Sequence, residues 1–232
     1  SYEGSEDHFK RCESYFNDEK YLRAKEDFKM WKYNAGLSPN LSKAQFYIAE
    51  CEYNLEDYDQ ALIEYDRYLN MADQSSSLAK KAELMICRCY FNSTHDYKKD
   101  QTETKRALEN LQYYIERKSM KDHVEEIQNM ITELRNKLGN KEYETAKFYI
   151  RIEEYEAAKI YFENILKEFY DTKYFGISLF NLSLLKYYDD KSKAIIFFEK
   201  YKNNFYTLDE YNSLISELEK MNFNEGFNYY LD

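Results

Sequence analysis

Proline and glycine are scarce in this sequence, with one and five copies among 232 residues. All-β architectures need many tight turns, which these residues supply most readily, so their scarcity excludes a sandwich or barrel and favours helices joined by short polar loops. Basic charge is also in deficit: 33 Lys and Arg face 43 Asp and Glu, giving a net charge of −10. Neutralising a phosphate backbone takes clustered cations, so nucleic acid is not expected as a partner. No run of eighteen apolar residues appears, and the opening SYEGSEDHF has neither the basic start nor the apolar centre of a signal peptide. The chain is therefore expected to be cytosolic or already processed. Cys12, Cys51, Cys87 and Cys89 form no Cys-x-x-Cys pair, and His8, His95 and His123 lie far apart. No metal site and no cofactor are expected, and the cysteines read as small apolar residues inside helices. His-Glu-x-x-His, Gly-x-Ser-x-Gly and glycine-rich phosphate loops are missing. The acidic pairs Glu56–Asp57 and Asp189–Asp190 fall in expected turns, so no catalytic set is visible.

Large side chains are abundant: 44% of residues are hydrophobic and 18% aromatic, enough to offset the entropy of ordering. Their arrangement repeats. A shift of 37 places Phe9 on Phe46, Cys12 on Ala49, Glu13 on Glu50, Phe16 on Tyr53, Asn17 on Asn54, Ala24 on Ala61 and Phe28 on Tyr65. A third copy places Leu84, Cys87, Phe91 and Asn92 in the same slots; after the insert STHDYKKDQTETK, Ala107 and Leu111 complete it. A fourth copy carries Ala146, Tyr149, Ala158 and Phe162, and a looser fifth has Ala194 and Phe198.

A small residue then an aromatic on helix A, and Ala-x-x-x-Phe on helix B, resembles the tetratricopeptide repeat (TPR). Paired helices approach closely where facing residues are small, and an aromatic one turn on fills the space beside the contact. No single pair buries its apolar stripe alone, so the copies must stack. The expected fold is all-α: a TPR α-solenoid of about five helix pairs plus a C-terminal capping helix near 208–221, with 222–232 as a frayed tail. The repeat's usual closing proline is replaced by Gly36, Asp73, Ser119, Tyr170 and Tyr206. Between copies three and four, Val124, Ile127, Met130, Ile131, Leu134 and Leu138 predict a long helix, open to a bend at Gly139–Asn140, that continues into helix A of repeat four. Two halves are drawn at 1–118 (repeats one to three) and 119–232.

Helix A lines the ligand-facing side of such arrays. Its exposed register predicts a peptide groove from Phe9, Phe46 and Leu84; Glu13, Glu50 and Arg88; Phe16, Tyr53 and Phe91; and Asn17, Asn54 and Asn92. TPR cochaperones that grip an acidic C-terminus place Lys and Asn at the first two of these slots, which hold apolar residues and Glu, Glu, Arg here. That clamp is absent. An aromatic floor with amide edges suits an extended apolar peptide, since an amide both donates to and accepts from a backbone.

The segments KKDQTETKRALENLQYYI (98–115) and MITELRNKLGNKEYETAKFYIRIEEYEAAKIYFENILKEFYDT (130–172) are similar to the BamD family, lipoproteins of the outer-membrane barrel-assembly (BAM) machinery. The resemblance rests on Asp100–Gln101, on Arg135, Lys137, Leu138, Lys141 and Glu142, on Ala157–Ala158 and on Asp171–Thr172, and it covers about 8–205. Tyr170 replaces the family's proline, and Ser1 stands where a lipid-bearing cysteine would. The resemblance implies a non-catalytic scaffold at the periplasmic face of the outer membrane, held there by an N-terminal lipid outside the sequence. The N-terminal repeats would bind unfolded outer-membrane barrel precursors, and the C-terminal repeats would dock a central BamA-type barrel protein. The basic cluster Arg135, Lys137 and Lys141 is the expected docking patch. The alternative is another periplasmic or cytosolic TPR adaptor.

Overall fold

The computed structural model describes residues 3–117, 123–221 and 223, and no strand occurs among them. Ser119 and, apart from Phe223, the expected tail at 222–232 lie outside the described residues. Five helix pairs follow in order: α1 (Glu6–Asn17) with α2 (Tyr21–Asn34), α3 (Leu41–Asn54) with α4 (Tyr58–Met71), and α5 (Ser77–Asn92) with α6 (Thr102–Arg117). Then come α7 (Val124–Arg151) with α8 (Tyr155–Glu168), and α9 (Phe175–Lys186) with α10 (Lys191–Glu199); α11 (Leu208–Lys220) closes the series. The fold is the all-α TPR type. The chain divides into two compact units, Ser1–His95 with Thr102–Ile131, and Asp96–Gln101 with Thr132–Asp232. This division falls inside α7.

The repeated small residues explain the packing. Cys12, Ala24, Ala49, Ala61, Cys87, Ala107, Ala146, Ala158 and Ala194 are all fully buried. One turn after each helix-B alanine, the large partner is buried as well: Phe28, Tyr65, Leu111, Phe162 and Phe198. Short side chains at the contact admit the neighbouring helix, and the large one fills the adjoining gap. In unit 1 this produces one cluster around Phe9, Cys12, Ala24, Phe28 and Trp31, and another around Phe46, Ala49, Ala61 and Tyr65. In unit 2, Ala146, Ala158, Phe162 and Leu182 form one cluster, while Phe175, Phe198, Tyr211 and Leu218 form the one that α11 covers.

The turns inside repeats one, two and four share one geometry. Glu19, Glu56 and Glu153 have φ of 59, 61 and 63°, the left-handed region. Each amide donates to the carbonyl three residues back, and the next residue's amide donates to the one five back, as in Lys20 to Tyr15, Asp57 to Glu52 and Glu154 to Tyr149. This paired arrangement closes the helix C-terminus and is usually built on glycine. In repeat two, Asp57 then caps α4 by accepting from the Gln60 amide at 3.2 Å.

Helix α7 runs unbroken through Gly139–Asn140, where the sequence allowed a bend. Gly139 approaches the turn after α8 so closely that a Cβ there would stand 3.1 Å from Thr172 Oγ1. At the expected proline positions, Gly36, Asp73, Tyr170 and Tyr206 all lie outside the helices.

A buried polar network ties α2, α3 and α4. Gln45 donates to Glu64 Oε2 at 2.6 Å and to the Glu64 carbonyl at 3.0 Å, while Lys32 donates to Gln45 Oε1. Gln60 and Arg67 donate to Glu64 Oε1 at 2.8 and 2.7 Å. Burial pushes the Glu64 carboxyl up, but these hydrogen bonds outweigh it and leave the group below the usual 4.5. Its stabilising contribution is therefore complete above the unfolded value and is lost as pH falls through the folded one. Urea midpoints measured from pH 6 to pH 3 should fall less steeply for Glu64→Gln than for the parent; equal slopes would contradict this.

Candidate functional site

Successive helix-A segments of unit 1 are joined by a repeated three-residue unit. Lys43 on α3 donates to Glu13 on α1 at 2.8 Å and stands 5.4 Å from the centre of the Phe9 ring. One repeat later, Lys81 on α5 donates to Glu50 on α3 at 2.8 Å, 5.0 Å from the Phe46 ring. Each lysine thus covers the aromatic ring of the preceding repeat while its ammonium meets that repeat's glutamate, adding cation–π attraction to an ion pair. Tyrosines complete the carboxylate shells: Tyr47 donates to Glu13 at 3.2 Å and Tyr65 to Glu50 at 2.6 Å. The hydrogen bond to Glu13 raises Lys43 above its ordinary value. The third step reverses polarity, with Arg88 on α5 donating to Glu126 on α7 at 2.7 Å.

These contacts revise the expected groove. Phe9, Phe46 and Leu84 are core residues, only 1%, 4% and 5% exposed, and cannot form a ligand floor. Glu13, Glu50 and Arg88 are engaged between repeats. What remains open is at the C-terminal ends of α1, α3 and α5, where half-buried Phe16, Tyr53 and Phe91 are each followed by exposed Asn17, Asn54 and Asn92. Phe16 packs edge-on against Tyr21 and Tyr47, and Tyr53 against Tyr58. Asn54 donates to the Glu50 carbonyl at 2.7 Å, and Asn92 reaches back to the Tyr53 hydroxyl at 2.9 Å. Two of the three amides therefore have partners within the chain, and a peptide would have to compete with them.

In unit 2 the expected basic patch is a set of internal ties. Arg135 grips Asp171 with two nitrogens at 2.6–2.9 Å and donates to the Glu168 carbonyl at 2.7 Å, its guanidinium 5.8 Å from the Phe169 ring. Lys141 reaches the Lys98 carbonyl at 3.4 Å. Burial pulls Lys137 below its ordinary value, with Asp96 and Glu133 opposing the shift. Gln101 donates to the carbonyls of Asp96 and Lys99 at 2.9 and 3.0 Å, holding the loop in shape, and Asn164 donates to Glu142 at 2.8 Å. The separate sequence signatures around 100, 135–142 and 171 are joined in space through these side chains.

The cysteines are all buried, and that burial pushes every thiol up to about 12. Such groups stay protonated at neutral pH and pack as small apolar residues. One grouping escaped the sequence reading: ligand atoms of His8, Cys12 and Asp27 lie within 4.8 Å of one another. His8 Nδ1 accepts from the Gly4 amide at 3.2 Å, so the neutral ring carries its proton on Nε2, facing Asp27 at 4.0 Å. Arg11 already pairs with Asp27 at 3.0 Å. A protonated Nε2, a protonated thiol and a guanidinium-bound carboxylate make a poor cation donor set. The i,i+4 spacing of His8 and Cys12 was the only sequence signal for it.

Stacked helix pairs meeting at small residues, with helix-A ends carrying aromatic–amide pairs, define a helical-repeat fold of the TPR type. The YfiO family, described as outer membrane lipoprotein, matches residues 3–195. The chain belongs to this family, also known as BamD. No curated protein matches it significantly. Among the described residues no helix is long and apolar enough to cross a membrane.

A structural role for the Arg135–Asp171 pair has a direct test. Arg135→Ala should cost about 1–2 kcal/mol in urea unfolding, and a double-mutant cycle with Asp171→Asn should show coupling. Additive effects would return Arg135 to the docking role expected from sequence.

Proposed function

We propose that this chain is a non-catalytic scaffold of outer-membrane barrel assembly at the periplasmic face, binding unfolded barrel precursors through unit 1 and a central BamA-type barrel protein through unit 2. The family match across 3–195 carries this reading. The geometry supports the precursor site at the ends of α1, α3 and α5, because three successive repeats there present an aromatic edge beside an exposed amide. A barrel strand alternates apolar side chains with backbone that needs hydrogen bonds; the rings would take the former and the amides the latter. Asn92 would have to exchange Tyr53 for the peptide, which gives an induced-fit cost and suits transient capture over tight binding. With Arg135 committed to Asp171, docking of the central component falls to other surfaces of unit 2.

A photo-crosslinking residue placed in cells at Asn17, Asn54 or Asn92 should form adducts with unfolded barrel precursors, whereas one at the half-buried Asn110 of α6 should not. Equal yields at Asn110, or no precursor adducts at the three sites, would contradict the proposal.

A further inference from the structure

Unit 1 holds a second concave feature that uses none of the residues above. Helices α4, α5 and α6 enclose a cavity of about 320 Å³. Asp59, Ile63 and Asp66 line it from α4, and their i, i+4, i+7 spacing puts all three on one face. Leu62 of α4, Ile86 and Tyr90 of α5, and Arg106 and Tyr114 of α6 supply the remaining wall. Ile63 is large, apolar and 47% exposed, so a methylene chain laid on it would be removed from water. The carboxylate of Asp66 acts on the phenols of both Tyr90 and Tyr114, which places a negative charge beside two aromatic rings. Neither Asp59 nor Asp66 takes part in an ion pair among the described residues. The chain's own Arg106 shows what this environment accepts: its guanidinium stands 5.6 Å from the centre of the Tyr90 ring. Arg106 also lines the cavity and is drawn to Glu103 at 3.5 Å, so two carboxylates, Asp59 and Asp66, face one guanidinium there.

We propose that this cavity receives a cationic side chain, lysine or arginine, from a partner protein, with its methylenes on Ile63 and Ile86 and its charge between Asp66 and Tyr114. Three observations select that occupant. The volume is at the lower bound of small-molecule pockets and suits one side chain rather than a cofactor. The rings favour a cation over an anion. The excess of carboxylate over guanidinium stabilises the charge, and the apolar wall favours a side chain with a long stem over a bare metal ion. This interaction is independent of the precursor site at the ends of α1, α3 and α5, so either can fail without the other.

The test follows the isoleucine methyl signals of the full chain during titration with Nα-acetyl-lysine methylamide, its arginine counterpart and its norleucine counterpart. Saturable shifts at Ile63 and Ile86 are expected for at least one cationic amide, with a clearly smaller response to norleucine. Asp66→Asn, at an exposed position that leaves the fold intact, should weaken the cationic response about fivefold or more. No response, an equal response to norleucine, or a response that Asp66→Asn leaves unchanged would overturn the proposal.

Discussion

Everything in this structure depends on the buried contact between small residues of neighbouring helices. Cys12, Ala49, Cys87 and Ala146 on the first helices, and Ala24, Ala61, Ala107, Ala158 and Ala194 on the second, are all sealed from solvent. Shortening these side chains lets the backbones come together, and the buried aromatic one turn on then contributes the apolar area that offsets chain entropy. Because the pairs within each unit use the same device, neighbouring repeats of that unit present one another with matching surfaces. Gly176 is an extreme form of the same solution: a Cβ there would meet Leu214 and Phe205 at 3.0 Å, so glycine lets α9 and α11 close on each other.

Polar groups add direction to this apolar packing. The Lys43–Glu13–Phe9 and Lys81–Glu50–Phe46 units link each helix A to the next in a fixed register. Both lysines are about half exposed, so the ion pairs themselves contribute little stability, and their larger effect is to specify which faces meet. They also consume the residues that would otherwise have made an aromatic floor. What stays open lies at the helix ends, where the amides of Asn17, Asn54 and Asn92 are exposed. The proposed recognition of another polypeptide thus uses places where stacking has no use for the side chains.

The fold was legible because its main determinant is periodic: Ala24 and Ala61, or Phe28 and Tyr65, recur at one spacing, and a helix face is a periodic object. Family membership was legible from Asp100–Gln101, Arg135 and Asp171–Thr172; Arg135 proves to pair with Asp171, while Gln101 and Thr172 hold the loop and turn in which they stand. The candidate site was read less well. Phe9 is placed in the core by its ring contacts with Phe28, Trp31 and Tyr47 on neighbouring helices, contacts that no single-helix pattern reveals. Similarly, the basic character of Arg135 is visible in the sequence, whereas its neutralisation by Asp171, 36 positions away, exists only in the folded chain. The left-handed turns were hidden for another reason: Glu19, Glu56 and Glu153 occupy a conformation whose usual sequence signal is glycine.

The most direct measurement is the urea midpoint of two variants on the same helix, one filling a seam and one not. Ala61→Leu adds an isobutyl group's extra bulk to a fully buried contact, whereas Asn70→Leu places the same leucine side chain at an exposed position of α4. The account predicts a loss of about 1–3 kcal/mol or more for the first and a change within about 0.5 kcal/mol for the second. Equal midpoints would show that close approach at the small residues does not hold the repeats together.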